Sequence, residues 1–110
     1  MTRTVDIANE VVAEFSHGNA DVDTSEAALL TSVHSEVHKG VMLRAPGIDD
    51  DTPNTAVVYV GRSGLTADDN NNTGGWPIAP GDTVTLPLTD PTKLFTISGT
   101  ASQKLSYWIM

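Results

Sequence analysis

Apolar and polar residues alternate over several short stretches from residue 40 to the C-terminus, a pattern typical of β-strands with one buried face. In the stretch 83–88, valine and leucine occupy the even positions, whereas threonine and proline occupy the odd ones. Because Pro87 cannot donate a backbone hydrogen bond, we expect this strand to lie at the edge of a sheet or to end in a bulge there. In the stretch 55–61 both faces are apolar, so we expect a central strand there.

Turn-forming residues separate these stretches at a spacing of about ten residues, which is typical of sandwiches and barrels. The separators are Ala45-Pro46-Gly47, Gly61-Arg62-Ser63-Gly64, Ala79-Pro80-Gly81-Asp82 and Thr89-Asp90-Pro91-Thr92. The pattern predicts an all-β chain, either an antiparallel β-sandwich or a jelly-roll-like fold. A length of 110 residues fits a single domain.

The first 40 residues are less regular than the rest of the chain. Residues 8–15 fit one face of a helix or a strand, and we favour a strand or an extended arm. Residues 16–19 predict a turn, and 21–32 predict a loop followed by another short strand. We therefore divide the chain into an N-terminal arm or first strand, 1–20, and a β-sandwich domain, 21–110.

Acidic residues outnumber basic ones by 14 to 6, which gives a formal net charge of −8. Nucleic-acid binding needs a basic surface, so we expect no nucleic-acid partner. Salt screens the repulsion between acidic proteins, so the negative charge is compatible with a host that lives at high salt. The alternative interpretation is that the charge only keeps the protein soluble. The chain has no cysteine, no apolar export signal and no stretch of about 18 apolar residues. We expect a soluble protein with no membrane partner.

Two kinds of residue pattern could bind a metal. His34, Glu36 and His38 alternate, which on a strand brings two imidazoles and a carboxylate to one face. The pattern resembles the His-x-His strand of cupin metalloenzymes, although that family's glycine-bounded motifs and a later third histidine are missing. We expect a solvated strand face and keep a metal site as the alternative. The oxygen-rich segments 21–26 and 49–51 suit calcium, but neither completes an EF-hand, and we expect solvated loops.

Motifs of hydrolytic enzymes are missing from the chain. No Gly-x-Ser-x-Gly elbow occurs, and the acidic residues fall in polar loops that do not favour a catalytic carboxylate pair. We therefore expect no enzymatic activity and no cofactor. Trp76 follows a glycine-containing loop, where it could stack on a sugar ring or cover one end of the sandwich.

The order of the predicted strands resembles that of a small β-sandwich common among virion proteins of tailed viruses. Residues 40–45 match a G-V-x-L-x-A strand, 58–61 match V-Y-V-G, 75–86 match a Pro-Gly turn with its strand, and 105–107 match the closing strand. The likeness extends over residues 39–110.

Three departures from that pattern leave the fold prediction unchanged. Ile78 stands where leucine is usual, Asp82 stands where glutamate is usual, and the Asp/Asn-rich loop before Trp76 is longer.

The resemblance implies a structural protein of a virus particle, most often a decoration or cement protein bound to the outer capsid surface as a trimer. The expected partners are then the major capsid protein and further copies of this chain, and the expected location is the virion, assembled in the host cytoplasm. The alternatives are an adhesion or fibre module that binds host glycans through its loops, and a cupin-like metalloenzyme. We expect contacts with the capsid or between subunits from apolar residues near both ends of the chain: Val5, Ile7, Val11, Val12, Phe15, Tyr107, Trp108 and Ile109.

Overall fold

The computed structural model describes residues 16–30, 40–68, 72–88 and 90–109. These residues form eight β-strands: β1 (Ser16–Val22), β2 (Ala27–Ala28), β3 (Val41–Arg44), β4 (Val58–Gly61), β5 (Trp76–Ile78), β6 (Thr83–Leu86), β7 (Phe95–Ser98) and β8 (Gln103–Ile109). A short 3₁₀ helix, Pro91–Lys93, precedes β7. Within the described residues no helix is long and apolar enough to span a membrane. The all-β prediction is confirmed.

The strands of the described part form two antiparallel four-stranded sheets. The first sheet has the order β1-β8-β3-β6, and the second has the order β2-β7-β4-β5. Early strands thus pair with late ones, as in β1 with β8, β2 with β7, β3 with β6 and β4 with β5. This arrangement is a long hairpin folded into two layers, which is the strand order of a jelly roll.

The core lies between the two sheets and is built by alternation along each strand. In β3, Val41 and Leu43 are buried, whereas Met42 and Arg44 point outward. Burying each such aliphatic side chain contributes about 1.5–3 kcal/mol. The buried cluster comprises Val22, Leu29, Leu30, Val41, Leu43, Ala45, Val58, Val60, Ile78, Leu94, Leu105 and Ile109.

Both predicted strand positions in the sheets are confirmed. Within the described residues β6 is the outermost strand of the first sheet, and Pro87 follows its last residue. Its threonines are exposed, whereas Val84 and Leu86 pack against the core. β4 lies between β5 and β7, with Val58 and Val60 buried.

The predicted turn at residues 16–19 is wrong, because this segment belongs to β1, which pairs with β8 along its whole length. Gly18 lies opposite Tyr107, and a Cβ atom on Gly18 would come within 2.8 Å of the tyrosine hydroxyl oxygen. The glycine therefore makes room for an aromatic ring across the sheet and does not mark a turn. Residues 16–20 thus belong to the sandwich. Of the strand predicted within 21–32, the described residues contain only Ala27–Ala28.

Two buried amide side chains attach the loop before β4 to β8. The Asn54 side chain donates to the carbonyl oxygen of Lys104 at 2.8 Å and accepts from its backbone N–H at 2.7 Å. Oε1 of Gln103 accepts from the backbone N–H groups of Thr55 and Ala56 at 2.8 and 3.1 Å. These bonds satisfy polar groups that would be costly to bury alone.

Candidate functional site

Three neighbouring strands place His17, Trp108 and Met42 in one row on the outward side of the first sheet. The rings of His17 and Trp108 stack with their centroids 5.8 Å apart and their planes at 24°. Trp108 is 44% exposed and Met42 is 38% exposed, which is unusual for side chains of this size. We call the surface formed by His17, Met42, Arg44, Ser106 and Trp108 the aromatic face.

An open cleft of about 300 Å³ lies on the aromatic face. Its second row runs from Asn19 through Ser106 to Arg44, and the Ser106 hydroxyl donates to the Asn19 side-chain oxygen at 2.7 Å. Aromatic, methionine and arginine side chains are enriched at the centres of protein–protein interfaces. The composition of this face therefore suits a protein partner.

Asp50, in the loop after β3, holds the guanidinium of Arg44 at the border of the aromatic face. Its carboxylate lies 2.9 Å from the guanidinium and accepts from the backbone N–H of Gly47 at 2.6 Å. The hydrogen bond from Arg44, followed by that from Gly47, lowers the pKa of Asp50 below its ordinary value. Asp50 therefore stays ionised at neutral pH and orients Arg44.

The lowered pKa of Asp50 predicts a pH-dependent contribution to stability. A carboxyl whose folded-state pKa is depressed stabilises the fold above its unfolded pKa of about 4, and this contribution is lost as the pH falls through the folded-state pKa. Asp50→Asn will therefore lower the melting temperature at pH 7, and the difference from wild type will shrink as the pH falls below about 4. Thermal unfolding followed by circular dichroism measures both values.

The control for this prediction is Asp51→Asn, which removes a neighbouring exposed carboxylate. We expect its melting temperature to follow that of the wild type across the same pH range. A difference between Asp50→Asn and wild type that stays constant with pH would contradict the assignment.

The carboxylates of the oxygen-rich segment 21–26, where we expect a solvated loop, bind three separate partners. Asp21 pairs with a lysine of β8, Asp23 accepts from a backbone N–H in the β7–β8 loop, and Glu26 accepts from a backbone N–H in the β4–β5 loop. Among the described residues no group of three histidine, cysteine or acidic side chains is placed to hold a metal ion. The other metal candidates, His34, Glu36 and His38, lie outside the described residues.

The three C-terminal contact residues predicted from the sequence lie on opposite sides of the first sheet, because alternation along β8 separates them. Ile109 is only 2% exposed in the core of its own chain, and Tyr107 packs half-buried against that core. Within this chain Ile109 is buried, whereas Trp108 is 44% exposed, and the contact role of all three residues stays a prediction. The N-terminal candidates lie outside the described residues: Val5, Ile7, Val11, Val12 and Phe15.

Sequence reasoning missed the neighbours of Trp108 on the aromatic face. The sequence predicts a turn at His17 and a strand over residues 40–45, but not which residues lie beside Met42. The outward position of Met42 follows from its alternation with Val41 and Leu43. Its place beside Trp108 depends on the register between β3 and β8, which alternation does not specify.

A second cleft, of about 250 Å³, lies in the loop that joins β4 to β5, and we call it the loop cleft. Trp76 lines this cleft and is 65% exposed, so it does not bury itself over the end of the sandwich. The polar side chains that line the loop cleft are Arg62, Ser63, Asn72 and Thr73. This composition differs from that of the aromatic face.

No protein family, curated protein or solved structure matches the chain. The resemblance to virion proteins of tailed viruses stays a prediction from the strand and turn motifs of residues 39–110.

Proposed function

We propose that the protein is a structural component of a tailed-virus particle, a decoration protein that binds the outer surface of the capsid. The observation that carries this proposal is the aromatic face, where an indole, a thioether and a guanidinium lie next to one another on one side of a sheet. The sequence motifs shared with virion proteins support the capsid as the partner. Jelly rolls occur in viral capsid proteins, and also in lectins and cupins, so the fold alone does not decide the function.

A binding role is also supported by the contacts of three described carboxylates. Asp21 and Asp50 form ion pairs with Lys104 and Arg44, and Glu26 is bound to the backbone. Such pairs restrain side chains that a general acid or base would need to present to a substrate. We therefore propose that the protein acts through contacts, without a chemical reaction.

The size of the aromatic face indicates how the protein would attach. Strand spacing and rise give the outward side of the first sheet an area of about 300–400 Å². A stable protein–protein contact buries about 800 Å² on each partner. Attachment would therefore need a second contact region, or several copies acting together through effective concentration, as in the proposed trimer.

Trp108→Ala tests the aromatic face directly. Tryptophans at the centre of an interface commonly contribute at least about 2 kcal/mol, so we expect attachment to weaken by about 30-fold. The side chain points away from the core, so the variant should fold normally. Cosedimentation with empty capsids of the virus that carries this chain, over a range of protein concentrations, measures the change.

Trp76→Ala is the matched control, since Trp76 is the second of the two tryptophans and lies on the second sheet. We expect it to attach as the wild type does. Full attachment by Trp108→Ala, or an equal loss in both variants, would reject the aromatic face as the capsid contact.

A further inference from the structure

Contacts join the described parts, 62–68 and 72–75, of the segment between β4 and β5. The backbone N–H of Thr66 donates to the carbonyl oxygen of Thr73 at 2.7 Å, and their hydroxyls lie 3.1 Å apart. The Glu26 carboxylate accepts from the backbone N–H of Gly64, and Leu65 is 6% exposed. These contacts restrain the described walls of the loop cleft, which reduces the entropy lost when a ligand binds.

Trp76 is presented to the loop cleft by a restricted backbone. It pairs with the buried Val60 at the start of β5, and Pro77 fixes the next φ angle. Gly75 has no room for a side chain, because a Cβ atom there would lie 2.9 Å from both Tyr59 Cβ and the Val60 carbonyl oxygen. The backbone of Trp76 is thus held in a strand of the sheet. The other residues that line the cleft lie mainly in the adjoining loop.

The walls of the loop cleft combine one aromatic surface with several hydrogen-bonding groups. Arg62 supplies donors, Asn72 supplies a donor and an acceptor, and two hydroxyl residues lie beside them. A ligand that matches these walls has an apolar face for the indole and polar groups at its rim, as a sugar ring does. The volume of about 250 Å³ falls just below that of most drug-sized pockets, so it suits one sugar ring.

The negative net charge of the chain favours a neutral sugar over an anionic one. A formal net charge of −8 repels an anionic glycan, and Arg62 is the single cationic side chain that lines the loop cleft among the described residues. A neutral sugar avoids this repulsion and still offers hydroxyl groups to the guanidinium.

We propose that the loop cleft binds one ring of a neutral saccharide, stacked on Trp76 with its hydroxyls bonded to Arg62 and Asn72. This site goes beyond capsid attachment, since it lies on the second sheet and shares no residue with the aromatic face. A single ring has about twelve non-hydrogen atoms, so the expected dissociation constant is on the order of 1 mM.

The test titrates the full chain with the methyl glycosides of glucose, galactose and N-acetylglucosamine. Saturation-transfer NMR detects the bound sugar, and tryptophan fluorescence gives the affinity. Because the sequence contains two tryptophans, Trp108→Phe leaves Trp76 as the only indole fluorophore, and its emission should still change with sugar. We expect at least one glycoside to bind to the wild type and to Trp108→Phe with the same affinity.

Trp76→Ala should weaken this binding by about tenfold or more, and Trp76→Tyr should restore part of it. Circular dichroism checks that both variants remain folded. The proposal is overturned if all three glycosides fail to bind, or if binding persists in Trp76→Ala. Capsid attachment is measured separately and should be unchanged in Trp76→Ala, so either proposal can fail without the other.

Discussion

Deleting residues 1–15 will abolish attachment of the protein to empty capsids and leave the sandwich folded. The described strands begin at Ser16, so the deletion removes no residue of the strands that the structure describes. β1 keeps its pairing with β8 from Ser16 opposite Ile109 to Val22 opposite Gln103. The melting temperature of the truncated protein should therefore be close to that of the wild type.

The expected loss of attachment follows from the size and position of the aromatic face. The whole outward side of the first sheet, about 300–400 Å², is roughly half of what one partner buries in a stable contact, and the segment 1–15 is our candidate for the second contact region. Residue 15 is joined to Ser16, and His17 is already part of the aromatic row. The segment 1–15 is thus connected at the edge of the proposed contact and carries five apolar candidates: Val5, Ile7, Val11, Val12 and Phe15.

A second variant keeps residues 1–15 but replaces these five residues by serine. It tests whether attachment depends on their apolar side chains or only on the presence of the segment. We expect the serine variant to lose attachment as the truncated protein does, with both remaining folded by circular dichroism. Cosedimentation with empty capsids gives the result. Attachment of the truncated protein at the wild-type level would refute a contact role for the N-terminal segment.

Alternation along the chain predicted the fold class because most strands have one buried and one exposed face. β7 shows where this reasoning fails. Thr96 and Ser98 point inward with 2% and 1% exposure, whereas the neighbouring Phe95 and Ile97 are half-buried on the other side. The Ser98 hydroxyl donates to the carbonyl oxygen of Val57 at 2.9 Å, which satisfies it in the core. That bond joins residues 41 apart, so no local pattern predicts it.

The aromatic face likewise depends on contacts between residues far apart in the sequence, which local alternation does not predict. The outward position of Trp108 could be predicted from its place between Tyr107 and Ile109 in an alternating strand. The aromatic face, however, also needs His17, which lies 91 residues away (108 − 17) and reaches Trp108 through antiparallel pairing. Register depends on long-range packing, so a single sequence identifies the contact residue but not the surface around it.

Gly40→Ala will destabilise the sandwich severely, because the added methyl group meets a fixed backbone. Gly40 has a φ angle of +131°, which L residues rarely adopt, and a Cβ atom there would lie 2.2 Å from the carbonyl oxygen of Leu86. That oxygen belongs to β6, which is held in register by the pair Val41 and Leu86. Backbone strain of about 1–3 kcal/mol adds to the clash, for a total loss of roughly 4 kcal/mol or more.

Urea unfolding of a glycine-to-alanine series separates the cost of the backbone φ angle from the cost of the steric clash. The expected loss is easily measured, because it is a large share of a typical stability of about 5–15 kcal/mol. Gly64 has a φ angle of +92° with nothing within 4 Å of the added methyl group, so Gly64→Ala tests strain alone and should cost about 1 kcal/mol. Gly99 also has open space and carries no strained φ angle, so Gly99→Ala should be nearly neutral. Gly40→Ala being as stable as Gly64→Ala would contradict this prediction. The Leu86 backbone could then move aside, and its contact with residue 40 would not exclude a larger side chain there.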